Sequence, residues 1–320
     1  MIEVKQTHCF LDCISYIIQM ERRFDERPLY CGVWNAPFSV SENGISYYSD
    51  TIGMEGISIQ FKLLYGTSIT PIHNYRKSKS ENYVSFKKHM AAKTQNQHMI
   101  ILVDLYYLPY PNKCYQVRHR PHLLISHHFT EHGCFLIDPY FSWEGYVSFE
   151  TLDQAFAFEN LLVMVMLDTS QMQQPEESVI ASCMKQQLDL SPSLLYTEMM
   201  ALIDRVVCIG STYALDRLFP LVEQVSVLAK RFHGYVHIYS FLAQALDIQV
   251  SDTYSKADEL VQKWDNIVLA IVRLGIVGKH AGLITLKDKL MAILQLELAI
   301  KQELLLLQEQ WGGMSHKSQV

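Results

Sequence analysis

The 320-residue sequence predicts an α+β domain followed by an all-helical domain. Two observations lead to this prediction. Up to about residue 170, short apolar runs alternate with turns that contain Gly and Pro, which is typical of strands mixed with helices. Beyond residue 171, apolar residues recur at helical spacing over long segments, after a polar stretch around Pro175. The predicted domains are therefore residues 1–170 and 171–320.

The composition narrows the class of protein. Charged residues make up 19% and apolar residues 49% of the chain, which is ordinary for a folded domain. The net charge of −6 argues against a general nucleic-acid binder and is compatible with a cationic substrate. The seven cysteines contain no CxxC pair, so their spacing predicts neither a disulfide framework nor a metal site. Because there is no long apolar run and no signal-peptide core, we expect no membrane association and a cytoplasmic location.

The first predicted helix, Cys9–Arg23, carries two thiols on one face. Apolar residues such as Phe10 and Ile14 follow at helical spacing. Cys9 lies in the first turn, where free amides and the helix dipole favour a thiolate, and Cys13 lies one turn further in. We expect Cys9 to be a nucleophile. The alternative is that both thiols are buried apolar side chains.

A short helix over residues 57–65 and a strand over 68–72 precede one basic stretch. Residues 75–93 contain a single acidic side chain, Glu81. The stretch predicts a docking surface for an acidic partner or a phosphate-bearing arm, and the alternative is a solvated helix face. Its candidate docking residues are Arg76, Lys77, Lys79, Lys87 and Lys88.

Three further strands are predicted, with polar side chains at their ends. They are residues 98–105, 121–128 and 133–138. Four residues join the last two strands, which suits a hairpin. His122 begins one strand and Asp138 ends the other, so antiparallel pairing puts both at the same end of the sheet. A His–Asp pair beside a cysteine is the arrangement that nucleophilic acyl transfer needs. The alternative is that both are satisfied polar groups at strand ends, because the chain has 13 histidines.

The second half of the sequence predicts six helices, which are separated by breaks at Pro192, Gly210 and later glycines. They are residues 176–188, 193–208, 213–232, 235–249, 255–275 and 283–310. The last helix has an apolar stripe, which packs within its own bundle or forms a homodimer contact.

Several stretches of the first half resemble the butirosin-biosynthesis acyltransferase family. They are His8-Cys9 followed at once by a helix, Val103–Tyr110, His119, Pro121–Ile125 and Leu136–Pro139. The similarity covers residues 7–165.

This resemblance implies a papain-like core and a reaction without a bound cofactor or metal. An acyl group would pass from the phosphopantetheine arm of a carrier protein to an amine. Position by position, Cys9 matches the nucleophile, His122 the base that deprotonates the amine, and Asp138 the acid that orients it. The chain departs from the family at Phe10, where a glycine or another small residue commonly follows the cysteine.

Within that family, the whole chain resembles the transferases of petrobactin biosynthesis in size and in its two-part layout. The resemblance implies siderophore biosynthesis, with transfer of a 3,4-dihydroxybenzoyl group from an aryl carrier protein to a primary amine of spermidine or its citryl derivative. An acidic enzyme suits a polycationic acceptor, and the basic stretch suits an acidic carrier protein.

Further side chains are candidates for binding substrate. The Cys9 amide, with Gln6 or His8, is expected to hold the oxyanion. Asp104 is a candidate for binding the acceptor ammonium, or it pairs with a local arginine such as Arg118. Four aromatic residues are candidates for an aryl pocket or for the core: Tyr106, Tyr107, Tyr110 and Phe141. Two other functions stay open, a cysteine hydrolase or amidase and a non-catalytic module that binds a carrier protein.

Overall fold

The protein is described by a computed structural model that covers residues 6–21, 24–42, 44–47, 54–158, 161–209, 215–249, 253–278 and 281–315. The chain folds into two compact units. The first, which we call the sheet unit, consists of Met1–Leu29 and Met54–Glu176, and the second, the helical unit, consists of Tyr30–Gly53 and Glu177–Val320. Residues 30–53 therefore group with the helical unit. The functional division into a catalytic and an accessory domain stays a prediction.

The described residues form eight strands, six of them in one antiparallel sheet with the order β3-β8-β4-β5-β6-β7. The strands are β1 Ser39–Ser41, β2 Gly44–Ser46, β3 Ile69–Pro71, β4 Gln97–Asp104, β5 Pro121–Phe129, β6 Gly133–Asp138, β7 Trp143–Ser148 and β8 Met164–Asp168. The three central strands and the β5–β6 hairpin are confirmed. The sequence did not predict β7, which is half exposed, or β8.

The helices alternate with these strands and then fill the second half of the chain. They are α1 Cys9–Glu21, α2 Met54–Tyr65, α3 Lys79–Ala92, α4 Phe149–Ala155, α5 Glu177–Gln187, α6 Leu194–Ile209, α7 Leu218–Val222, α8 Val225–Ala229, α9 Gly234–Ala245, α10 Thr253–Val277 and α11 Gly282–Ser315. Among these described helices, none combines the length and the apolar character that crossing a bilayer needs. The predicted region with a sheet, followed by a helical region, is confirmed.

The core of the sheet unit forms where alternate residues of the central strands meet α3. Ile101 and Leu124 are paired across β4 and β5, and both are fully buried. They belong to one apolar cluster with Phe86 and Met90 from α3 and with Phe156. This cluster holds β4, β5 and β6 in one register, and the ends of these strands carry the polar residues discussed below.

The prediction of one helix over residues 213–232 is wrong. The structure instead has α7 and α8, flanked by the single 3-10 turns Leu215–Arg217 and Lys230–His233. Pro220 lacks an N–H group, and its ring clashes with a preceding carbonyl inside a helix, so it is tolerated here in the first turn of α7. Residues 213 and 214 lie outside the described residues.

A buried ion pair holds α11 in the helical unit. Lys301 Nζ lies 3.1 Å from Glu297 Oε1, and both side chains are fully buried. Ser193 Oγ donates to Glu297 Oε2 at 2.8 Å, and the Tyr235 hydroxyl donates to Oε1 at 3.1 Å. Lys301 also donates to the carbonyl of Ser191 at 2.6 Å. Each charge therefore has the partners that burial demands.

We expect Lys301→Met to destabilise the protein by about 3–5 kcal/mol, because it leaves the Glu297 carboxylate buried without its counter-charge. Urea unfolding followed by circular dichroism measures the free energy of unfolding. The matched control is Lys263→Met, which removes the partner of Glu259 from a pair with the same spacing that is 37% and 54% exposed. This control is expected to lose no more than about 0.5 kcal/mol. Equal small losses in both variants would contradict a stabilising role for the buried pair.

Candidate active site

Helix α1 begins at Cys9, whose side chain is buried. The carbonyl of His8 accepts the N–H of Asp12 at 2.8 Å, which closes the first turn of the helix. The Asp12 carboxylate in turn accepts the amides of Thr7 and His8, both at 3.2 Å. These bonds hold the backbone immediately before the thiol in place.

His122 and Asp138 meet where β5 and β6 end. Ile125 pairs with Ile137 across the hairpin. Continuing that register by one residue puts Asp138 opposite Leu124, and His122 lies two residues further along on the same face. His122 Nε2 lies 2.9 Å from Asp138 Oδ2, and both side chains are buried. The contact is an ion pair between the imidazole and the carboxylate.

Asp138 is surrounded by donors. The Tyr110 hydroxyl donates to its Oδ2 at 2.5 Å, and the amide of Phe141 donates to its Oδ1 at 3.2 Å. Tyr110 stacks on Trp143, with ring centres 3.9 Å apart and planes 9° apart, which fixes the direction of its hydroxyl. Burial, and then the charge of Asp138, raise the pKa of Tyr110 well above its usual value, so this hydroxyl stays protonated and donates.

The environment of His122 favours the imidazolium form. Burial by itself lowers the pKa of His122, but the charge of Asp138, the contact with that carboxylate and a hydrogen bond with Cys9 outweigh it and raise the pKa to about 10. The structure therefore brings Cys9, His122 and Asp138 together. Their catalytic roles stay a prediction.

Cys13 is in a different environment from Cys9. Its side chain is fully buried, and its Sγ donates to the carbonyl of Leu123 at 3.5 Å. Burial, followed by the charges of Asp138 and Cys9, raises the pKa of the Cys13 thiol well above its usual value. A thiol that stays protonated is a poor nucleophile, so the structure favours Cys9 over Cys13.

The residues predicted to hold the oxyanion lie around the start of α1. The amide of His8 is already bonded to Asp12. Gln6 is partly buried just before the helix, and Phe10 is fully buried. The amide of Cys9 stands at the start of α1. The oxyanion donors stay a prediction.

The predicted substrate residues separate into two groups. Tyr110 and Phe141 lie beside His122 and Asp138, as described above. Asp104 lies in the other group, where its Oδ1 accepts the amides of Tyr106 at 3.0 Å and Arg120 at 3.1 Å.

A second His–Asp contact completes this other group. Asp104 Oδ2 lies 2.5 Å from Nδ1 of His119. Tyr106 stacks on the His119 ring at 4.1 Å, and Tyr107 contacts the same ring edge-on at 6.0 Å. Sequence reasoning missed this pair, although the antiparallel-end argument used for His122 would have found it, because Asp104 ends β4 opposite Pro121.

A cavity of about 330 Å³, which we call the His119 cavity, opens beside this second pair. Its wall includes Lys79, Asp104, Tyr107, His119, Gln154 and Phe158. Val103 pairs with His122 and Asp104 pairs with Pro121, so the cavity lies at the same end of the sheet as His122.

The predicted docking residues are all exposed, and we call them the basic surface (Arg76, Lys77, Lys79, Lys87 and Lys88). The loop before α3 is held by Asn82, which is buried and donates to the carbonyls of Asn74, Lys77 and Ser78. The acidic side chain of the stretch, Glu81, accepts from the amide of Ser78 as part of a capping box. This loop also lines a cleft of about 460 Å³.

Among the described residues, no group of three or more His, Cys, Asp or Glu side chains is placed so that it could hold a metal ion.

Comparison with known protein families shows to which family the chain belongs. The DUF6005 N-terminal domain matches residues 2–172, and the DUF6005 C-terminal domain matches residues 178–320. The chain belongs to the DUF6005 family. It is also similar to a curated protein, the petrobactin synthase of Bacillus anthracis, with 27% identity over 304 residues that cover 93% of each chain. The resemblance to petrobactin-biosynthesis proteins is thereby confirmed.

We expect Asp138→Asn to lower the pKa of His122 strongly, because it removes the charge that opposes the effect of burial. NMR titration of the His122 ring measures this change. In the wild-type protein, the native state keeps a proton that the unfolded state releases above pH 6.5. The stabilisation from this group is therefore full below pH 6.5 and is lost as the pH rises to about 10. In Asp138→Asn, this decrease in the free energy of unfolding is expected to disappear.

The control for this experiment is Asp153→Asn, which neutralises an exposed carboxylate on α4 of the same unit. It is expected to leave both the His122 titration and the pH dependence unchanged. A His122 pKa that is the same in the wild-type and Asp138→Asn proteins would contradict the ion pair.

Proposed function

We propose that this protein is a cysteine-dependent acyltransferase of siderophore biosynthesis with a papain-like catalytic domain. It moves a 3,4-dihydroxybenzoyl group from the phosphopantetheine thioester of an aryl carrier protein to a primary amine of spermidine or of a citryl-spermidine intermediate. The similarity to petrobactin synthase over 93% of both chains supports the siderophore pathway.

The observation that carries the proposal is the contact between Cys9, His122 and Asp138. A thiol at a helix start, hydrogen-bonded to an imidazole that is ion-paired with a buried carboxylate, is the arrangement needed for a thiolate nucleophile. The environment of Cys9 differs from that of Cys13, because burial raises the pKa of the Cys13 thiol and so opposes its ionisation.

In the first half-reaction, the Cys9 thiolate attacks the carbonyl carbon of the carrier thioester. The C–S bond to the pantetheine breaks, and an aryl thioester forms on Cys9. The imidazolium of His122 is the counter-ion of the thiolate before attack and gives its proton to the departing pantetheine thiolate, which leaves the imidazole neutral for the second half-reaction.

In the second half-reaction, the acceptor amine attacks the aryl thioester on Cys9. The C–S bond to Cys9 breaks as the amide bond forms, the amine proton passes to the His122 imidazole, and Cys9 leaves as a thiolate beside the imidazolium that results. Transfer to an amine rather than to water requires that the site orient the amine and limit solvent, and the burial of Cys9 and His122 supports this.

Aromatic rings around His122 support an aryl substrate. The rings of Phe141 and Tyr140 lie 5.2 Å and 5.4 Å from the His122 ring, centre to centre. A flat acyl group beside them would find edge and face contacts of the kind that aromatic pairs prefer.

The proposal predicts an aryl adduct on Cys9 when the protein is incubated with 3,4-dihydroxybenzoyl pantetheine thioester in the absence of amine. Intact-protein mass spectrometry and peptide mapping measure the adduct. Cys9→Ala is expected to form none, because the nucleophile is gone. The matched control Cys13→Ala, one turn along the same helix, is expected to keep it.

Addition of spermidine should then discharge the adduct and yield the aryl amide. An adduct on Cys13 with none on Cys9 would contradict the choice of nucleophile. Loss of the adduct to water as fast as to spermidine would contradict the transferase and support a hydrolase on the same residues.

The basic surface supports docking of an acidic carrier protein. Its side chains are exposed on α3 and on the loop before it, and Asn82 holds that loop in one conformation. Glu81 is engaged by Ser78, so the acidic side chain of this stretch is held at the helix start.

We expect the double variant Lys87→Glu/Lys88→Glu to lower kcat/KM for the carrier-bound donor by roughly 10-fold or more, because charge reversal repels an acidic carrier. With the small pantetheine thioester, the rate should stay unchanged. The control is Arg273→Glu/Lys289→Glu, which makes the same charge change at exposed positions of the helical unit. An equal loss with both donors would show an effect on the active site instead of on docking.

A further inference from the structure

Tyr110 and His122 contact the same oxygen of Asp138. The Tyr110 hydroxyl donates to Asp138 Oδ2 at 2.5 Å, and His122 Nε2 lies 2.9 Å from that atom. The other oxygen, Oδ1, accepts the amide of Phe141. A hydrogen bond to a carboxylate stabilises its negative charge, so less of that charge remains to attract a second partner. The strength with which Asp138 attracts His122 therefore depends on Tyr110.

The sheet fixes the direction of this hydroxyl. Asp138 pairs with Trp143 across β6 and β7, so their two side chains stand on the same face. The Tyr110 ring lies flat on the Trp143 ring, with centres 3.9 Å apart, and meets the Phe141 ring edge-on at 6.0 Å. One pair of strands thus carries both the carboxylate and the aromatic support of its donor.

The loop that carries this tyrosine, residues 105–120, is closed at its base by Asp104. Asp104 Oδ1 accepts the amide of Tyr106 at one end of the loop and the amide of Arg120 at the other. Oδ2 of the same carboxylate faces Nδ1 of His119. The second His–Asp pair therefore ties the two ends of the loop together and holds the tyrosine between them in place.

The two half-reactions need an imidazole that gives up a proton and then takes one back. Burial by itself lowers the pKa of His122, and the charges of Asp138 and Cys9 raise it. The ring of Tyr140 lies 5.4 Å from the His122 ring, and the charge of His122 also acts on the Cys114 thiol. If the attraction of Asp138 were too strong, the proton would stay on the imidazole and the pantetheine thiolate would leave without it.

We propose, on the basis of the proposed function, that Tyr110 is a positioning residue: by donating to Asp138, it limits how firmly this carboxylate holds the proton on His122. In the first half-reaction, Cys9 Sγ bonds to the donor carbonyl carbon, the C–S bond to pantetheine breaks, and the departing sulfur takes the His122 proton. In the second, the amine nitrogen bonds to the acyl carbon, its proton passes to His122, and the electron pair of the breaking C–S bond returns to Cys9. Tyr110 keeps its own proton throughout, because burial, followed by the charge of Asp138, raises its pKa.

The first test compares two donors that differ in their leaving group. Wild-type and Tyr110→Phe proteins are loaded with 3,4-dihydroxybenzoyl pantetheine thioester or with the thiophenol thioester of the same acyl group, and the adduct on Cys9 is followed by rapid-quench mass spectrometry. Thiophenolate is a weak base and leaves without a proton. Tyr110→Phe is therefore expected to slow loading from the pantetheine thioester roughly 10-fold and to leave loading from the thiophenol thioester unchanged. Transfer of the adduct to spermidine is expected to be no slower than in the wild-type protein.

The second test changes only the acidity of the phenol. The substitution Tyr110→3-fluorotyrosine keeps the ring and the hydroxyl, and it strengthens the hydrogen bond because fluorine makes the phenol more acidic. NMR titration of the His122 ring is expected to show a pKa that is raised by about one unit in Tyr110→Phe and lowered in the fluorotyrosine protein. A residue that only fills space would not produce shifts of opposite sign.

The matched control is Tyr115→Phe, which removes a hydroxyl from the same loop, where that group accepts from the Gln116 side chain at 3.4 Å. It is expected to change neither the loading rates nor the titration. Equal slowing with both donors in Tyr110→Phe would overturn the inference and leave the proposed function standing. A His122 pKa that stays constant, or moves in the same direction in both Tyr110 variants, would do the same. If the wild-type protein forms no adduct from either donor, the proposed function fails and the inference about the reaction fails with it.

Discussion

The buried carboxylate of Asp138 is the constraint on which the proposed catalytic site depends. A charge without solvent must be met by donors, and Asp138 has the Tyr110 hydroxyl, the Phe141 amide and the His122 ring around it. The same charge favours the imidazolium form of His122 and opposes ionisation of Cys13. One carboxylate therefore acts on both the imidazole of His122 and the thiol of Cys13, whose pKa is raised by burial first and by this charge second.

Antiparallel pairing concentrates this chemistry at one end of the sheet. Asp104 ends β4, His122 stands near the start of β5 and Asp138 ends β6, so adjacent strands bring alternate termini together. Two His–Asp pairs result, and burial distinguishes them: the His122 side chain is 6% exposed and the His119 side chain 54%. The buried pair belongs to the Cys9 site, whereas the exposed pair borders the His119 cavity.

The helical unit also contains buried charges, and they too have partners. Glu297 and Lys301 neutralise each other where no water reaches, and Ser193 and Tyr235 satisfy the remaining oxygens. The family match and the similarity to petrobactin synthase both extend over this unit, so it is part of the architecture of the family. The Cys9 site lies within the sheet unit.

The pattern of apolar and polar residues along the chain predicted much of the secondary structure. The apolar runs predicted β4, β5 and β6, and the four-residue turn predicted the β5–β6 hairpin. The positions of Cys9, His122 and Asp138 at element ends made them candidates, and the family resemblance then selected them as the triad. Only the tertiary structure decided which side chains surround these three. Tyr110 reaches Asp138 from 28 residues away, and Asp104 orients His119 from 15 residues away. Such contacts depend on register, burial and the direction of each side chain, and these are set by packing between distant segments that periodicity along the chain does not encode.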